Sequence, residues 1–287
     1  TMAALRATAG VAGRCGGEMH GIGVAGERTW VAPELTGVGR LPMRSPLVPF
    51  PDERSARNGA PESSPWFRLL NGSWRFALAD RPEAVPDDFA APSFDDSSWG
   101  SVAVPGNWTV QGHDRPHYTN IFMPFPQRPP HVPEANPTGM YRTSFRLPRE
   151  WKGKRIVLHV GGAESVLYPF VNGVPVGMSK DSRLPAEFDI TDQVRTGRGN
   201  TLACMVVRWS DASHVEDQDD WWMAGIHRDV YVYATDEVFL ADVEVRAGLT
   251  EDDGGALTVG TLEVRSTAGF RRDDLIEAGW RISARLE

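Results

Sequence analysis

The dipeptide Asn172-Gly173 is the feature of this sequence that most restricts the fold. It joins two apolar runs, residues 167–171 and 174–178. Asn followed by Gly is the strongest short-range signal for a two-residue hairpin turn, because both central positions of that turn require a positive φ. The sequence therefore predicts a β-hairpin here.

Alternation with a period of two continues through most of residues 66–235. The strand-like runs are short and bounded by turn residues, and almost no helical period is present. This pattern predicts an all-β domain of about eight strands, a β-sandwich of the jelly-roll kind. Besides the hairpin, the runs are residues 72–78, 101–104, 140–147, 155–160, 188–190, 202–207 and 229–233.

Composition excludes two classes of partner. The chain has 287 residues, of which 41% are hydrophobic, so it can bury a core. Its net charge is −8 and it has no Lys/Arg cluster of the kind that follows phosphates, which argues against nucleic acid. No apolar run approaches the roughly 20 residues that a membrane span requires.

The expected compartment is the cytoplasm. Arg6, Arg14 and Glu18 interrupt any apolar core of an export signal in residues 1–26. Cys15 lies in a Gly-rich leader and Cys204 in an apolar strand, which suits two free thiols better than a disulfide.

The first 65 residues divide into two segments. Residues 1–29 are rich in Gly and Ala without a period and are expected to form a flexible leader. From Trp30 to Pro65, prolines separate isolated apolar residues, which favours an extended arm that lies on other surfaces. A floppy linker is the alternative for this second segment.

Residues 105–137 should form a long, structured loop. Six prolines between Pro105 and Pro137 each remove a backbone donor, so a central strand is improbable there. Loops of this length in compact domains are usually functional. After Thr235 the pattern resets, and three further strands are predicted at residues 239–247, 257–265 and 279–286.

The stretch from Arg208 to Val230 concentrates acidic residues and tryptophans between two strand-like runs. Strands hold the ends of such a loop rigidly while the loop carries function, and this composition suits a polar ligand such as a sugar or a cation. The alternatives are a solvated turn and core tryptophans. Other chemistries lack their motifs: there is no Gly-x-Ser-x-Gly, no His-Glu-x-x-His and no phosphate-binding Gly loop. The acidic run also departs from the calcium-loop pattern at Trp221 and Trp222.

Six segments, in order and at matching spacing, resemble the β-galactosidases of glycoside hydrolase family 2, the large bacterial lactase type. Together they cover roughly residues 30–286. They are Leu70-Asn71-Gly72-Ser73-Trp74-Arg75-Phe76, Val104-Pro105-Gly106-Asn107-Trp108, Tyr118-Thr119-Asn120, Asn136-Pro137-Thr138-Gly139, Asp181-Ser182-Arg183-Leu184-Pro185, and the 208–230 stretch with its Arg208-Trp209-Ser210-Asp211 and Glu216-Asp217-Gln218-Asp219.

The resemblance implies a galactose-binding-like jelly roll at residues 66–235, followed by the first part of an immunoglobulin-like β-sandwich at residues 236–287. Family 2 enzymes hydrolyse with retention, using two carboxylic acids about 5 Å apart in a (β/α)₈ barrel. No part of this sequence has the alternating strand-helix pattern of that barrel. We therefore expect no catalytic residue in this chain, and no activity from the chain alone.

The resemblance also implies two substrate-binding residues. Asn120 matches an Asn that reaches toward the galactosyl hydroxyls, and its amide can both donate and accept. Asp219 matches the Asp that binds a sodium ion together with the 6-hydroxyl of galactose. The family's magnesium is held by barrel residues, so no magnesium ligand is expected here. The arm from Trp30 to Pro65 matches one that helps to join subunits, which implies a homo-oligomer acting on a β-galactoside.

Two other interpretations stay open. One is a free-standing carbohydrate-binding module in which Trp209, Trp221 or Trp222 stacks on sugar. The other is the same portion of a β-glucuronidase or β-mannosidase, although Tyr118-Thr119-Asn120 and Glu216-Asp217-Gln218-Asp219 look like the galactosidase branch.

Overall fold

The structure is a computed structural model that describes residues 5–7, 28–120, 123–126, 128–216, 219–251 and 257–283. In these ranges the α-helix is Glu53–Asn58, and short 3-10 helices lie at Thr29–Val31, Pro61–Ser63, Pro82–Ala84, Trp108–Val110, Arg149–Trp151, Asp211–His214 and Asp273–Ala278. The strands are β1 (Leu5–Ala7), β2 (Gly37–Val38), β3 (Phe67–Leu69), β4 (Gly72–Ala79), β5 (Gly100–Val104), β6 (Gly106–Asn107), β7 (His117–Thr119), β8 (Thr138–Arg146), β9 (Arg155–Val160), β10 (Ala163–Glu164), β11 (Val166–Val171), β12 (Val174–Pro175), β13 (Met178–Lys180), β14 (Ala186–Asp189), β15 (Gly199–Val207), β16 (Asp220–Trp222), β17 (Gly225–Ile226), β18 (Val230–Thr235), β19 (Val238–Glu251) and β20 (Leu257–Phe270).

Two antiparallel sheets form the body of the protein. The larger has the order β2-β13-β11-β15-β8-β4-β5, with β12 paired to β11, and the smaller has the order β14-β9-β18-β3. Strands that are distant in sequence are neighbours in both sheets, as the crossing connections of a jelly roll require. The predicted all-β sandwich of the jelly-roll kind is confirmed.

The large sheet is apolar on both faces. Along β15, Leu202, Cys204 and Val206 point into the core between the two sheets. The alternate residues, among them Met205, pack on the outer face against a second cluster that includes Trp30. Cys204 is a free thiol, as predicted, and burial raises its pKa. Cys15 lies outside the described residues.

The Asn172-Gly173 hairpin is confirmed. Both residues have the left-handed backbone that the turn needs, with φ of 53° at Asn172 and 85° at Gly173. Val171 pairs directly with Val174. The predicted second strand is interrupted between β12 and β13, where the chain passes Gly177 before pairing with β11 resumes one residue out of register.

The predicted arm, residues 30–65, lies on the sandwich, but it is not extended throughout, because it contains the α-helix Glu53–Asn58 and the 3-10 helix Pro61–Ser63. Its strand β2 adds to the edge of the large sheet by pairing with β13. The Leu41 backbone then donates to the carbonyl of Glu187 at 2.8 Å. Leu41 and Val48 pack on the outer face of the small sheet. The arm therefore covers part of both sheets from outside.

The prolines of residues 105–137 have the predicted effect. The strands in this region, β6 and β7, pair with β17 and β16 and not with the two main sheets. The region forms a structured loop whose two short ladders lie beside the sandwich.

The chain after Thr235 differs from the prediction in one element. The first two predicted strands lie within β19 and β20, which form one long antiparallel hairpin. The third, at residues 279–286, is wrong for residues 279–283, which are described and contain no strand. Gly279 has a φ of 71° after the 3-10 helix, and the Trp280 indole donates to the carbonyl of Leu275 at 2.8 Å, which turns the chain back on that helix. Residues 284–287 lie outside the described residues, and the immunoglobulin-like half-domain stays a prediction.

Most of the predicted leader, residues 1–29, also lies outside the described residues. Within it, β1 pairs in parallel with β20. The leader as a flexible unit stays a prediction.

We predict that Gly177→Ala destabilises the protein by about 1–3 kcal/mol, because an added methyl group overpacks a filled site. Its Cβ would lie closer than 3.0 Å to the Val38 carbonyl oxygen on β2 and to the Phe188 ring. Gly199→Ala is the matched control, since nothing lies within 4 Å of a Cβ there, and it should change stability by less than about 0.5 kcal/mol. Urea unfolding measures both. Equal stability of the two variants would show that β2 does not pack on β13 as described.

Candidate functional site

The loops that carry the predicted site residues meet in a two-stranded ribbon, β7 with β16. Its register pairs Thr119 with Asp220 and His117 with Trp222. One position beyond the Thr119–Asp220 pair, the same register places Asn120 opposite Asp219. The fold thus brings together two residues that are about a hundred positions apart in sequence.

Both predicted substrate-binding residues are exposed to solvent. Asp219 accepts a hydrogen bond at 2.7 Å from the Tyr118 hydroxyl through its Oδ1 atom, and this bond raises the pKa of Tyr118. Among the described residues, the Asn120 side chain has no hydrogen-bond partner. Its amide and the Asp219 Oδ2 atom are therefore available to a ligand.

The three tryptophans of the stretch occupy two different environments. Trp209 and Trp222 are buried, with 5% and 2% of their surface exposed, and they pack with Met123 in an aromatic cluster. Trp221 is 53% exposed, and its ring centroid lies 5.6 Å from that of Tyr118. Of the three candidates for sugar stacking, only Trp221 presents its ring to solvent.

Arg208 fixes one end of the ribbon. Its guanidinium is buried and forms an ion pair with Asp114. It also donates to the backbone carbonyls of Arg115 at 2.8 Å and Trp222 at 3.4 Å, which lie at the start of β7 and the end of β16. The sequence analysis placed Arg208 in a motif but gave it no role. An Arg at the end of an apolar strand was the available signal.

Asn136 connects the 105–137 loop to the same region. It is 1% exposed, and its amide donates to the Trp209 carbonyl and accepts from the Trp209 backbone N–H, both at 2.8 Å. A side chain that mimics a strand partner in this way satisfies both backbone groups of Trp209. This Asn therefore has a structural role.

A buried carboxyl group lies behind the other end of the ribbon. Glu164, on β10, is 2% exposed. Its Oε2 atom is 3.7 Å from Arg183, whose other amino group contacts Asp220 at 3.0 Å. Burial raises the pKa of Glu164 to about 8; Arg183 and Arg208 oppose this shift, and Asp220 and Glu216 add to it. Sequence reasoning missed this group.

The described residues hold no group of three or more His, Cys, Asp or Glu side chains that could bind a metal ion. Asp219 and Asn120 offer two oxygens at one exposed edge, which fits part of a sodium site but cannot surround an ion. A sodium ion held here would need further oxygen ligands from outside these residues.

No helix among the described residues is long and apolar enough to cross a membrane.

Comparison with known proteins assigns the family. A model described as the sugar binding domain of glycosyl hydrolases family 2 matches residues 67–236, more than half of the chain. The chain belongs to glycoside hydrolase family 2. The match begins at β3 and ends just after β18, so it spans the sandwich and both ends of the ribbon.

Two curated relatives of this family 2 chain illustrate the similarity. It is 43% identical over 222 residues to a β-galactosidase of Psychromonas ingrahamii, a match that covers 77% of this chain and 21% of that protein. It is 45% identical over 206 residues to a β-galactosidase of Vibrio cholerae, covering 72% of this chain and 20% of that protein. The chain spans about a fifth of the length of these relatives.

Among solved structures, a Bacteroides uniformis β-glucuronidase 2 is similar to this family 2 chain with a TM-score of 0.50 and 20% identity. The similarity covers 71% of this chain and 26% of that chain. At this identity the likeness concerns the fold alone.

We predict that Glu164→Gln loses less stability than the wild type as the pH rises from 5 to 8. The folded-state pKa of Glu164 is raised to about 8 from an ordinary 4.5, so between these values the unfolded chain releases a proton that the folded chain keeps. The resulting loss in the free energy of unfolding is absent below the lower pKa. It grows by up to about 1.4 kcal/mol per pH unit through the window and is complete above the higher pKa. Glutamine has the same shape and no charge to bury.

The measurement is urea unfolding of both proteins at pH 5 and pH 8. Comparing the two proteins removes the contribution of every other titrating group. Parallel losses of stability in wild type and variant would mean that Glu164 has an ordinary pKa in the folded protein.

Proposed function

We propose that this chain is the N-terminal sugar-binding part of a β-galactosidase that hydrolyses terminal β-D-galactose residues with retention. The observation that carries the proposal is the Thr119–Asp220 pair of the ribbon, since Asn120 and Asp219 are the exposed residues directly beyond it. Membership of family 2 and the curated β-galactosidase relatives support it.

The chemistry of these two side chains suits a neutral sugar. An amide and a carboxylate together can donate to and accept from neighbouring hydroxyl groups. A uronic acid would place its own carboxylate where galactose has the 6-hydroxyl, and Asp219 would repel it. The charge of Asp219 therefore favours a galactoside over a glucuronide, although the glucuronidase fold is similar.

The chemical step is proposed to use carboxylic acids outside this chain. Retaining hydrolysis needs an acid that touches the glycosidic oxygen. Glu164 has the raised pKa of such an acid, but at 2% exposure it cannot reach a substrate. Its role is therefore structural, and the chain contributes binding groups without an acid or a nucleophile.

The proposal extends to ions, assembly and compartment. Asp219 would contribute one oxygen to a sodium ion, with the other ligands coming from the sugar and the barrel, and magnesium would bind only in the barrel. The full enzyme would be a cytoplasmic homo-oligomer. The exposed residues of the arm, such as Met43 at 40% exposure, would be available to a neighbouring subunit.

A second candidate function is a free-standing carbohydrate-binding module. Exposed Trp221 beside Tyr118 favours it, because aromatic faces stack on sugar rings. The two candidates differ in what the isolated chain can do: a module should bind a galactoside by itself, whereas a partial site should bind one only weakly.

We predict that the isolated 287-residue chain does not hydrolyse a chromogenic β-galactoside above background. Positioning groups without an acid and a nucleophile leave the chemical barrier nearly untouched. The assay uses protein purified from a host without its own β-galactosidase. Turnover that follows the protein through every column would contradict the proposed division of the site.

We predict that Asp219→Ala in the full-length enzyme weakens sodium activation and raises the Michaelis constant for a galactoside. Removing the carboxylate removes an ion ligand and a hydroxyl acceptor together. The measurement is the Michaelis constant titrated with sodium.

The control is Asp217→Ala, which makes the same charge change two residues away; Asp217 lies outside the described residues. It should have a much smaller effect. Equal sodium responses in wild type and Asp219→Ala would remove Asp219 from the site. A matching loss in Asp217→Ala would mean that the loop acts through its summed charge.

A further inference from the structure

The segment from Asp181 to Leu184, here called the clamp loop, has no role in the function proposed above. It follows β13 and lies against the acidic stretch that leads into β16. We infer that the clamp loop positions Asp219 through two contacts, that of Ser182 with Glu216 and that of Arg183 with Asp220. This inference rests on the proposed function only for the role of Asp219, because the contacts of the clamp loop are part of the fold.

The two contacts bracket Asp219 in sequence. On the N-terminal side, Glu216 accepts from the Ser182 backbone N–H at 2.8 Å and from the Ser182 hydroxyl at 2.6 Å. On the C-terminal side, Arg183 donates to the Asp220 Oδ2 atom at 3.0 Å. Three charge-assisted hydrogen bonds therefore hold Glu216 and Asp220 against Ser182 and Arg183.

The clamp loop is itself held in one shape. The Asp181 Oδ1 atom accepts from the backbone N–H groups of Arg183 and Leu184, both at 3.1 Å. Asp181 has a φ of 148°, in a region that only Gly adopts freely, so the loop is fixed by these bonds against a local preference. Arg228 adds a contact, donating to the Arg183 carbonyl at 2.5 Å.

Arg183 also reaches inward from the clamp loop. One amino group contacts Asp220 and the other lies 3.7 Å from buried Glu164, so the guanidinium bridges the ribbon to β10 of the sandwich. The Glu164 Oε1 and Asp220 Oδ1 atoms are buried and have no partner in the described residues. Arg183 lies within 4 Å of both carboxyl groups through their other oxygens, so its removal should loosen the start of β16.

The consequence concerns geometry and not chemistry. Asp219 is exposed and receives one hydrogen bond from Tyr118. The clamp loop adds restraints at Glu216 and at Asp220, the residue that directly follows Asp219. Ser182 and Arg183 are positioning residues for this edge, and neither needs to touch a ligand.

The first test uses the 287-residue chain and needs no activity. Amide hydrogen exchange is measured on wild type, Ser182→Ala, Arg183→Met and the double variant. We expect exchange of the 219–222 amides to rise about tenfold in the double variant, while exchange in β15 stays unchanged. These variants should fold, because Arg183 is 42% exposed on its side chain and, although Ser182 is buried, Ser182→Ala removes only its hydroxyl and leaves its backbone N–H bond to Glu216. Wild-type exchange at the 219–222 amides in the double variant would overturn the inference.

The second test uses the full-length enzyme. Arg183→Met should raise the sodium dissociation constant and the galactoside Michaelis constant several-fold, with little change in kcat at saturating sodium and substrate. Arg183→Lys should recover part of the loss, because lysine keeps the positive charge but lacks the two terminal amino groups of the guanidinium. Arg195→Met is the matched control: it removes the same charge from an exposed position on the loop that precedes β15, and it should change neither constant.

The outcomes separate the two proposals. Faster exchange at 219–222 with unchanged sodium and substrate constants in Arg183→Met, while Asp219→Ala alters them, would overturn the positioning role and leave the proposed function standing. If Asp219→Ala has no effect on sodium or substrate, the proposed function fails, whatever the exchange experiment shows about the clamp loop. An equal change in Arg195→Met would overturn the positioning role in favour of a general field effect.

Discussion

The large sheet is apolar on both faces, and the rest of the structure follows from that constraint. The alternation along β15 sends one set of side chains into the core between the sheets and the other set outward. An antiparallel sheet usually leaves one face to water. Here both faces carry apolar side chains, so both must be covered. Trp30 from the arm and Phe89 from the segment between β4 and β5 supply the second cover. The path of the Pro-rich arm is therefore fixed by packing on this face, although the arm forms no sheet of its own.

Beside the two main sheets, two arginine side chains add to the ladder hydrogen bonds that fix the β7–β16 ribbon. Arg208 holds the Trp222 end of the ribbon, and Arg183 holds the Asp220 end. Neither ion pair contributes much net stability: Arg208 is buried, so the cost of removing its charge from water offsets its attraction to Asp114, and Arg183 and Asp220 are 42% and 41% exposed, so water weakens theirs. Their geometry is specific, however, and breaking the Arg208 pair would leave an unpaired buried charge. The two guanidiniums thus restrict the ribbon to one arrangement more than they stabilise the domain.

The sequence predicted the elements whose pattern is local. The hairpin at Asn172-Gly173 and the strand at residues 155–160 needed only turn chemistry and period two, and the latter matches β9 in full. The strand predicted at residues 279–286 is wrong over residues 279–283, because Gly279 takes a left-handed backbone and the Trp280 indole bonds back to the Leu275 carbonyl, a tertiary contact that alternation cannot show. Glu164 was missed for a related reason: nothing in a sequence distinguishes an acid that is 2% exposed from one on a surface. The resemblance named Asn120 and Asp219, but their adjacency depends on the pairing of β7 with β16.

The exposure of Asp219 determines what kind of site this domain can offer. A single carboxylate attracts a monovalent cation in water by only about 1 kcal/mol at 4 Å, which is too little to hold an ion against solvent. Useful affinity requires more oxygen ligands and less water, and neither can come from a two-stranded ribbon at the edge of a sandwich. What the ribbon can supply is preorganisation: a carboxylate whose Oδ1 atom is already bonded to Tyr118 loses little freedom when its other oxygen meets a ligand. Under the proposed function, the domain would therefore supply one preorganised wall of a site that other groups complete.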